Sequence, residues 1–507
     1  MERNYGEMIY TIVIGICILG LVQCQDGDSL TVNIAQGSVQ GYRDDNLFIF
    51  YDIPYASVPL GTDKFMAPNE PPTWQDTFEA IDRKISCLQL QIMPNDKTMQ
   101  EDCLVTTVFV PDSNATNLPV VVYVHGGAYL VGSGNDMTNL VKSGRVIAVT
   151  FNYRLGIHGF LCLGTEKAPG NAGSKDQVAL LRWVNKNIAS FGGNPSDVTI
   201  AGYSAGSCSV DLIMLSDMAK GLFNKDSSIG FVHCIERDLG QERFLVDAPV
   251  NIIKDGKYDK YPMLYGFSAM EGLYRVDYFD TWKNLMNENF TSFLPADLHF
   301  NTATERDLVI EEVKQFYFQG QLVSDNTVLG YVDYFTDVMF AYGTLRAVKL
   351  HLDAGNDHIF LYEYSFDAEE MPPALERLNL RGASHCHQSY AVLDRLSSMP
   401  TLTNRTREMI DIMRDLWLNF ITTGSPTHAG SSVGAWLPVS QATCSPHMLL
   451  DLQPTAGGPL LQSRVEFWDS IYERHYRVPQ APSAAHSFCL QPVLIILYMH
   501  IFIKTLS

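Results

Sequence analysis

The sequence predicts an α/β fold built on a mainly parallel sheet with helices on both faces. Three observations predict it. Apolar, β-branched runs recur at 118–124 (LPVVVYV), 146–151 (VIAVTF), 198–201 (VTIA), 263–266 and 358–364, and continuous apolar strands of this kind suit a sheet buried on both faces. Between the second and third runs, 175–188 (KDQVALLRWVNKNI) places Val178, Leu181, Trp183 and Ile188 at helical spacing, and Gly192-Gly193-Asn194-Pro195 stops it. Strands alternating with helices in this way mark a parallel α/β architecture. Finally, no Pro/Gly/Ser linker, internal repeat or charge block divides the chain. The 507 residues therefore read as one large domain rather than the three that length alone would allow.

Composition limits the classes of function. With 46% hydrophobic and 18% charged residues, the chain can fill a large core, which excludes disordered and low-complexity classes. A net charge of -20 and the lack of a Lys/Arg cluster exclude a nucleic-acid partner, because phosphate binding needs a basic face.

At the N-terminus, residues 1–8 are polar, 9–22 (IYTIVIGICILGLV) are apolar, and QCQDGDS follows. That order of regions is expected of a secretory signal, here residues 1–24. The apolar run is short of the roughly 20 residues of a membrane span. Removing it also removes Cys17 and Cys24, leaving eight of the ten cysteines. Cys87 and Cys103 close a short loop and are the best disulfide candidates in a secreted chain; such a bridge is worth roughly 3 kcal/mol. Sequons at Asn114, Asn289 and Asn404 fit an extracellular glycoprotein.

The domain is expected over residues 25–478, followed by an atypical tail at 479–507. The tail carries small residues Ser483, Ala484 and Ala485 ahead of an apolar run at 493–503. A lipid-anchor signal has that form, and only through it would a membrane be a partner. The short spacer and Lys504 fit a variable tail better.

The chemistry sits after the strand VTIA, where Gly202-Tyr203-Ser204-Ala205-Gly206 leads into a helix. A serine at the top of a sharp strand-to-helix turn is exposed, and the helix N-terminus faces developing negative charge. His125-Gly126-Gly127-Ala128 follows the strand LPVVVYV. The amides of Gly126 and Gly127, with that of Ala205, are candidates for an oxyanion hole. An acid and then a histidine are expected later in the chain, on loops after strands. Glu271, past 262–266, is the candidate acid. His385, in Gly382-Ala383-Ser384-His385-Cys386-His387, is the candidate base, with His387 a competitor that spacing alone does not separate. Such chemistry calls for no metal or organic cofactor, and neither H-E-x-x-H nor a complete G-x-G-x-x-G occurs.

At these residues the chain resembles the secreted type-B carboxylesterase/cholinesterase family, in particular insect esterases of the antennal and integument kind. The resemblance runs through Asp52-Ile53-Pro54-Tyr55-Ala56, Glu101-Asp102-Cys103-Leu104, Asn152-Tyr153-Arg154-Leu155-Gly156, Pro169-Gly170-Asn171-Ala172-Gly173, Asp176-Gln177 and Phe191-Gly192-Gly193-Asn194-Pro195. It implies an α/β-hydrolase fold, a triad of Ser204, Glu271 and His385 (not His387), oxyanion donors at Gly126, Gly127 and Ala205, and a Cys87–Cys103 bridge. It also implies hydrolysis of a small carboxylic ester through an acyl-enzyme.

The chain departs from the family too. Tyr203 stands where cholinesterases carry glutamate and juvenile hormone esterases usually glutamine. No tryptophan lies between Cys87 and Cys103 to stack on a quaternary ammonium, so a choline site is not expected. Only 67 residues separate Ser204 from Glu271, fewer than is usual in the family. A core strand and pocket-flanking helices are therefore expected to be missing after the nucleophile helix, leaving sheet edges exposed. An esterase-like binding protein, or a shortened inactive form, is the alternative.

Overall fold

The computed structural model describes residues 29–481 except 91–96, 228–232, 368–372, 394–401, 432 and 441–443. The signal segment 1–24 and the apolar run 493–503 lie outside the described residues. Twelve strands follow one path across a large mixed sheet: β1 (Ser29–Ile34), β2 (Gly37–Asp44), β3 (Leu47–Pro54), β4 (Val105–Pro111), β5 (Leu118–Val124), β6 (Ile147–Phe151), β7 (Gly193–Gly202), β8 (Lys225–Ser227), β9 (Met263–Ser268), β10 (Ile359–Tyr364), β11 (His447–Leu450) and β12 (Thr455–Gly457). Their spatial order is β1-β2-β3-β4-β6-β5-β7-β8-β9-β10-β11-β12. The run from β6 to β11 is parallel, and antiparallel strands flank it on both sides.

The strands expected from apolar runs are the buried centre of this sheet, with Val120, Val122, Ile147, Val149, Ile200, Met263 and Leu361 each at most 1% exposed. Side chains alternate between two core clusters. Val120, Val122, Ile200, Tyr265 and Leu361 face one side, whereas Val121, Tyr123, Ala201, Leu264 and Tyr362 face the other. That division follows from the two-residue period of a strand.

The sheet is not interrupted where the short Ser204–Glu271 spacing leads one to expect a lost strand. β8 is there, three residues long. It pairs with β7 at Thr199↔Lys225, Ile200↔Asp226 and Ala201↔Ser227, and with β9 at Asp226↔Met263. Backbone ladders need only a few residues to remain continuous, so the shortened chain keeps its sheet and loses width at one strand. The buried Lys225 ammonium anchors this seam by donating to Asp197 and to the Ile421 carbonyl.

The crossover helix α1 (Ala172–Asn187) starts three residues before the expected 175. Its first turns are buried although polar, since Ser174, Lys175, Asp176 and Gln177 are each at most 2% exposed. Each charge there has a partner. Asp176 receives Arg154 through both its oxygens, at 2.6 and 2.8 Å. Lys175 donates to Glu236 at 2.6 Å, with both side chains inaccessible.

Two disulfides occur among the described residues. Cys87–Cys103 closes the short loop. Cys162–Cys234, not anticipated from spacing, closes a 72-residue separation, worth about 4 kcal/mol in the chain-entropy account. Glu236 accepts from Asn171 at 2.8 Å and from the Phe244 amide at 3.0 Å, so residues 234–245 are stitched onto the start of α1.

Candidate active site

Ser204 occupies the turn between β7 and the helix α2 (Ala205–Met214), at φ 52° and ψ -128°. A non-glycine residue held at positive φ is strained, and such strain gathers at functional sites. The turn is fixed by Gly206 N–H donating to the Tyr203 carbonyl at 2.8 Å and Cys208 N–H donating to the Ser204 carbonyl at 3.1 Å. Glycine is obligatory at 206, where a Cβ would sit 2.1 Å from the Val124 carbonyl oxygen. The same close approach brings the β5 loop to the serine: a Cβ on Gly126 would meet the Tyr203 carbonyl oxygen at 2.7 Å and the Ser204 Cβ at 3.0 Å. The loop that carries Gly126 therefore packs directly against the Tyr203–Ser204 turn.

His385 Nε2 lies 3.0 Å from Ser204 Oγ, and its Nδ1 lies 2.5 Å from Glu271 Oε2. Glu271 opens a 3-10 turn, Glu271–Tyr278, just beyond β9. It is 2% exposed, and its other oxygen accepts the Ser268 amide at 2.7 Å. Gly272 N–H donates to Thr336 Oγ1 at 2.9 Å and fixes the turn from behind. His387 faces elsewhere, its Nδ1 accepting the Ser384 amide at 3.3 Å. The structure thus brings together Ser204, Glu271 and His385 from the segments that follow three different strands, and leaves His387 outside the line.

Burial is the largest influence on the His385 imidazole and opposes its charge. The adjacent Cys386 and the Glu271 carboxylate more than offset it, so the ring is held well above its ordinary value. A hydroxyl, an imidazole and a buried carboxylate in line can take the hydroxyl proton and stabilise the resulting imidazolium.

A cavity of about 230 Å³ opens over Ser204. Two of its walls were not foreseen from sequence. Phe340 stacks on His385 at 4.2 Å, and it comes from a π-turn, Asp337–Ala341. Tyr129 also lines the cavity. Nothing local in sequence marks either residue, since both arrive by tertiary packing. The sequons at Asn114, Asn289 and Asn404 all lie on exposed side chains.

The carboxylesterase family model matches residues 28–230 and 226–468. The two stretches meet at the seam where the sheet narrows to β8. Esterase FE4 of Myzus persicae is 28% identical, over 87% of this chain and 92% of its own length. A carboxylic ester hydrolase of Bombus ignitus is 29% identical over 82% and 89%, and a juvenile hormone esterase of Tribolium castaneum 27% over 77% and 82%. Among solved structures, the juvenile hormone esterase from Manduca sexta, with OTFP covalently attached, superposes with a TM-score of 0.79. It is 24% identical and covers 88% of this chain and 100% of its own. A thermophilic PNB esterase gives 0.69 at 24% identity, over 86% and 99%. These structural likenesses bear on the α/β-hydrolase fold.

Proposed function

The chain belongs to the carboxylesterase family, and on that premise we propose that it is a secreted serine carboxylesterase working through an acyl-enzyme on Ser204. The observation that carries this reading is the unbroken line from Ser204 Oγ through His385 to Glu271, at 3.0 and 2.5 Å. Ser204 attacks the ester carbonyl as His385 Nε2 takes its proton, and Glu271 holds the ring and stabilises its positive charge. The oxyanion is received by the amides of Gly126, Gly127 and Ala205, each worth about 3 kcal/mol in the transition state. His385 then protonates the leaving alcohol, and water releases the acid by the same route.

Export through a cleaved signal at residues 1–24, a domain at 25–478 and glycans on Asn114, Asn289 and Asn404 complete the proposal. Exposure of all three asparagines supports it. No helix among the described residues is long and apolar enough to cross a membrane. The partner is a small ester, with a membrane involved only if the tail 479–507 is an anchor signal.

The direct test is labelling by an organophosphate. One equivalent is expected on the Ser204 peptide by mass spectrometry, together with a burst of p-nitrophenol from p-nitrophenyl acetate. Labelling elsewhere, or steady turnover of a Ser204→Ala chain, would refute the mechanism.

A pH profile gives a second test. The neutral imidazole is the active base, so kcat/KM rises with pH through the His385 pKa of the free enzyme. Because that pKa is raised, the half-maximal point is expected above pH 6.5. Glu271→Gln removes an attraction for the imidazolium and is expected to move it down. An unmoved midpoint in that variant would count against a Glu271–His385 pair.

A further inference from the structure

The apolar residues lining the cavity over Ser204 divide between two core clusters. Tyr203, Leu264, Tyr362, Cys386 and Trp417 belong to one core cluster, the one that takes in the loop of His385. Tyr129 and Ala205 belong to the other cluster, with Cys208 packed against it. Catalytic geometry assigns the two groups. In the tetrahedral intermediate the leaving oxygen must face His385 Nε2, which protonates it, and the oxyanion must face the three amides. The acyl substituent is then directed away from His385, toward Cys208 and Tyr129.

Tyr129 is 3% exposed and is backed by rings. Phe160 lies 4.7 Å from it, and His233 meets it edge-on at 5.1 Å and 86°. His233 also meets Phe160 edge-on at 5.3 Å and lies 5.7 Å from Phe244. Neither ring nitrogen of His233 has a hydrogen-bond partner among the described residues. Burial pushes this histidine down to about 3, so it packs as a neutral ring. The chain that carries His233 is tethered: the next residue is bonded to Cys162, and Glu236 is held by Lys175, Asn171 and the Phe244 amide.

Resting on the serine-esterase reading above, we propose that His233 fixes Tyr129 as the end wall of the acyl side, and so restricts the enzyme to esters of short acyl chains. His233 is a specificity-determining residue that acts through Tyr129. It lies within the shortened Ser204–Glu271 stretch, so that stretch supplies the backing of a pocket wall. The cavity as a whole, about 230 Å³, is small beside the roughly 300–1,000 Å³ of typical ligand sites.

The test compares kcat/KM for p-nitrophenyl acetate, butyrate and octanoate. In the unaltered enzyme, efficiency is expected to fall with acyl length. In His233→Ala the butyrate-to-acetate ratio is expected to rise about tenfold or more, the discrimination that one or two methylenes command in an apolar pocket. Acetate turnover should stay within about threefold, because no reacting atom is touched. His233→Leu, which refills the volume without a polar ring, is expected to restore the original ratio. Tyr129→Leu shortens the wall itself and is expected to raise the ratio without altering His233, which keeps the test open if His233→Ala does not fold. An unchanged ratio in folded His233→Ala and Tyr129→Leu, or octanoate hydrolysed as efficiently as acetate by the unaltered enzyme, overturns the proposal. Failure of the underlying reading looks different: no acyl ester is turned over and Ser204 is not labelled.

Discussion

Ser204→Ala is expected to lower kcat on p-nitrophenyl acetate by about 10⁵–10⁶, with KM little changed. The alanine keeps the turn and the oxyanion amides but removes the atom that forms the covalent bond. The residual rate, about 10³–10⁴ above water, should come from the amides of Gly126, Gly127 and Ala205 acting on a directly attacking water. Because the three residues act as one unit, His385→Ala should cost a similar factor, and the double variant should be scarcely slower than either single one. Glu271→Gln is expected to cost about 10⁴, since an amide neither fixes the tautomer nor stabilises the imidazolium. The measurement is single-turnover and steady-state kinetics on folded, secreted protein. Multiplicative losses in the double variant would mean that the residues contribute separately, contrary to the line of contacts at 3.0 and 2.5 Å.

The other large effect concerns stability. Lys175→Met leaves the Glu236 carboxylate buried without a counter-charge, held only by Asn171 and the Phe244 amide. Removing one member of such a pair is expected to cost about 3–5 kcal/mol. The double change Lys175→Met/Glu236→Leu should recover most of that loss, because an apolar pair of similar volume avoids the desolvation that the ion pair has to overcome. Denaturant midpoints of the unaltered protein and the two variants settle it. A cost under about 1 kcal/mol in the single variant would show that water reaches the pair, at odds with its burial.

Much of this architecture could be read from residues alone, and the reason is locality. The strand runs and the α1 period are short-range patterns, and their bounds in the fold differ from expectation by only a few residues at most ends. β7 is the exception: it begins at Gly193, through a register shift before Val198, where the glycines and proline pointed only to a break. The serine turn was equally legible, because Gly206 is dictated by a neighbour one strand away. What could not be read was assembled from distant segments. The Cys162–Cys234 bridge and the Lys175–Glu236 pair leave no local signature, and polar residues at the head of α1 look like a solvated turn until their partners are known. The short spacing before Glu271 was legible as a loss. Its repair by a three-residue strand was not, because strand pairing depends on what lies on either side.

β8 gives the site an unusual dependence. Ser204 and the three amides proposed for the oxyanion hole precede it in the chain, whereas Glu271 and His385 follow it. The two groups approach from the β7 and β9 sides of a seam held by three paired residues on one side and one on the other. The proposed nucleophile and its base are thus owned by different halves of the sheet, and the 3.0 Å between them is a gauge of how firmly those halves are joined. In this chain catalysis is a property of the joint as much as of the triad.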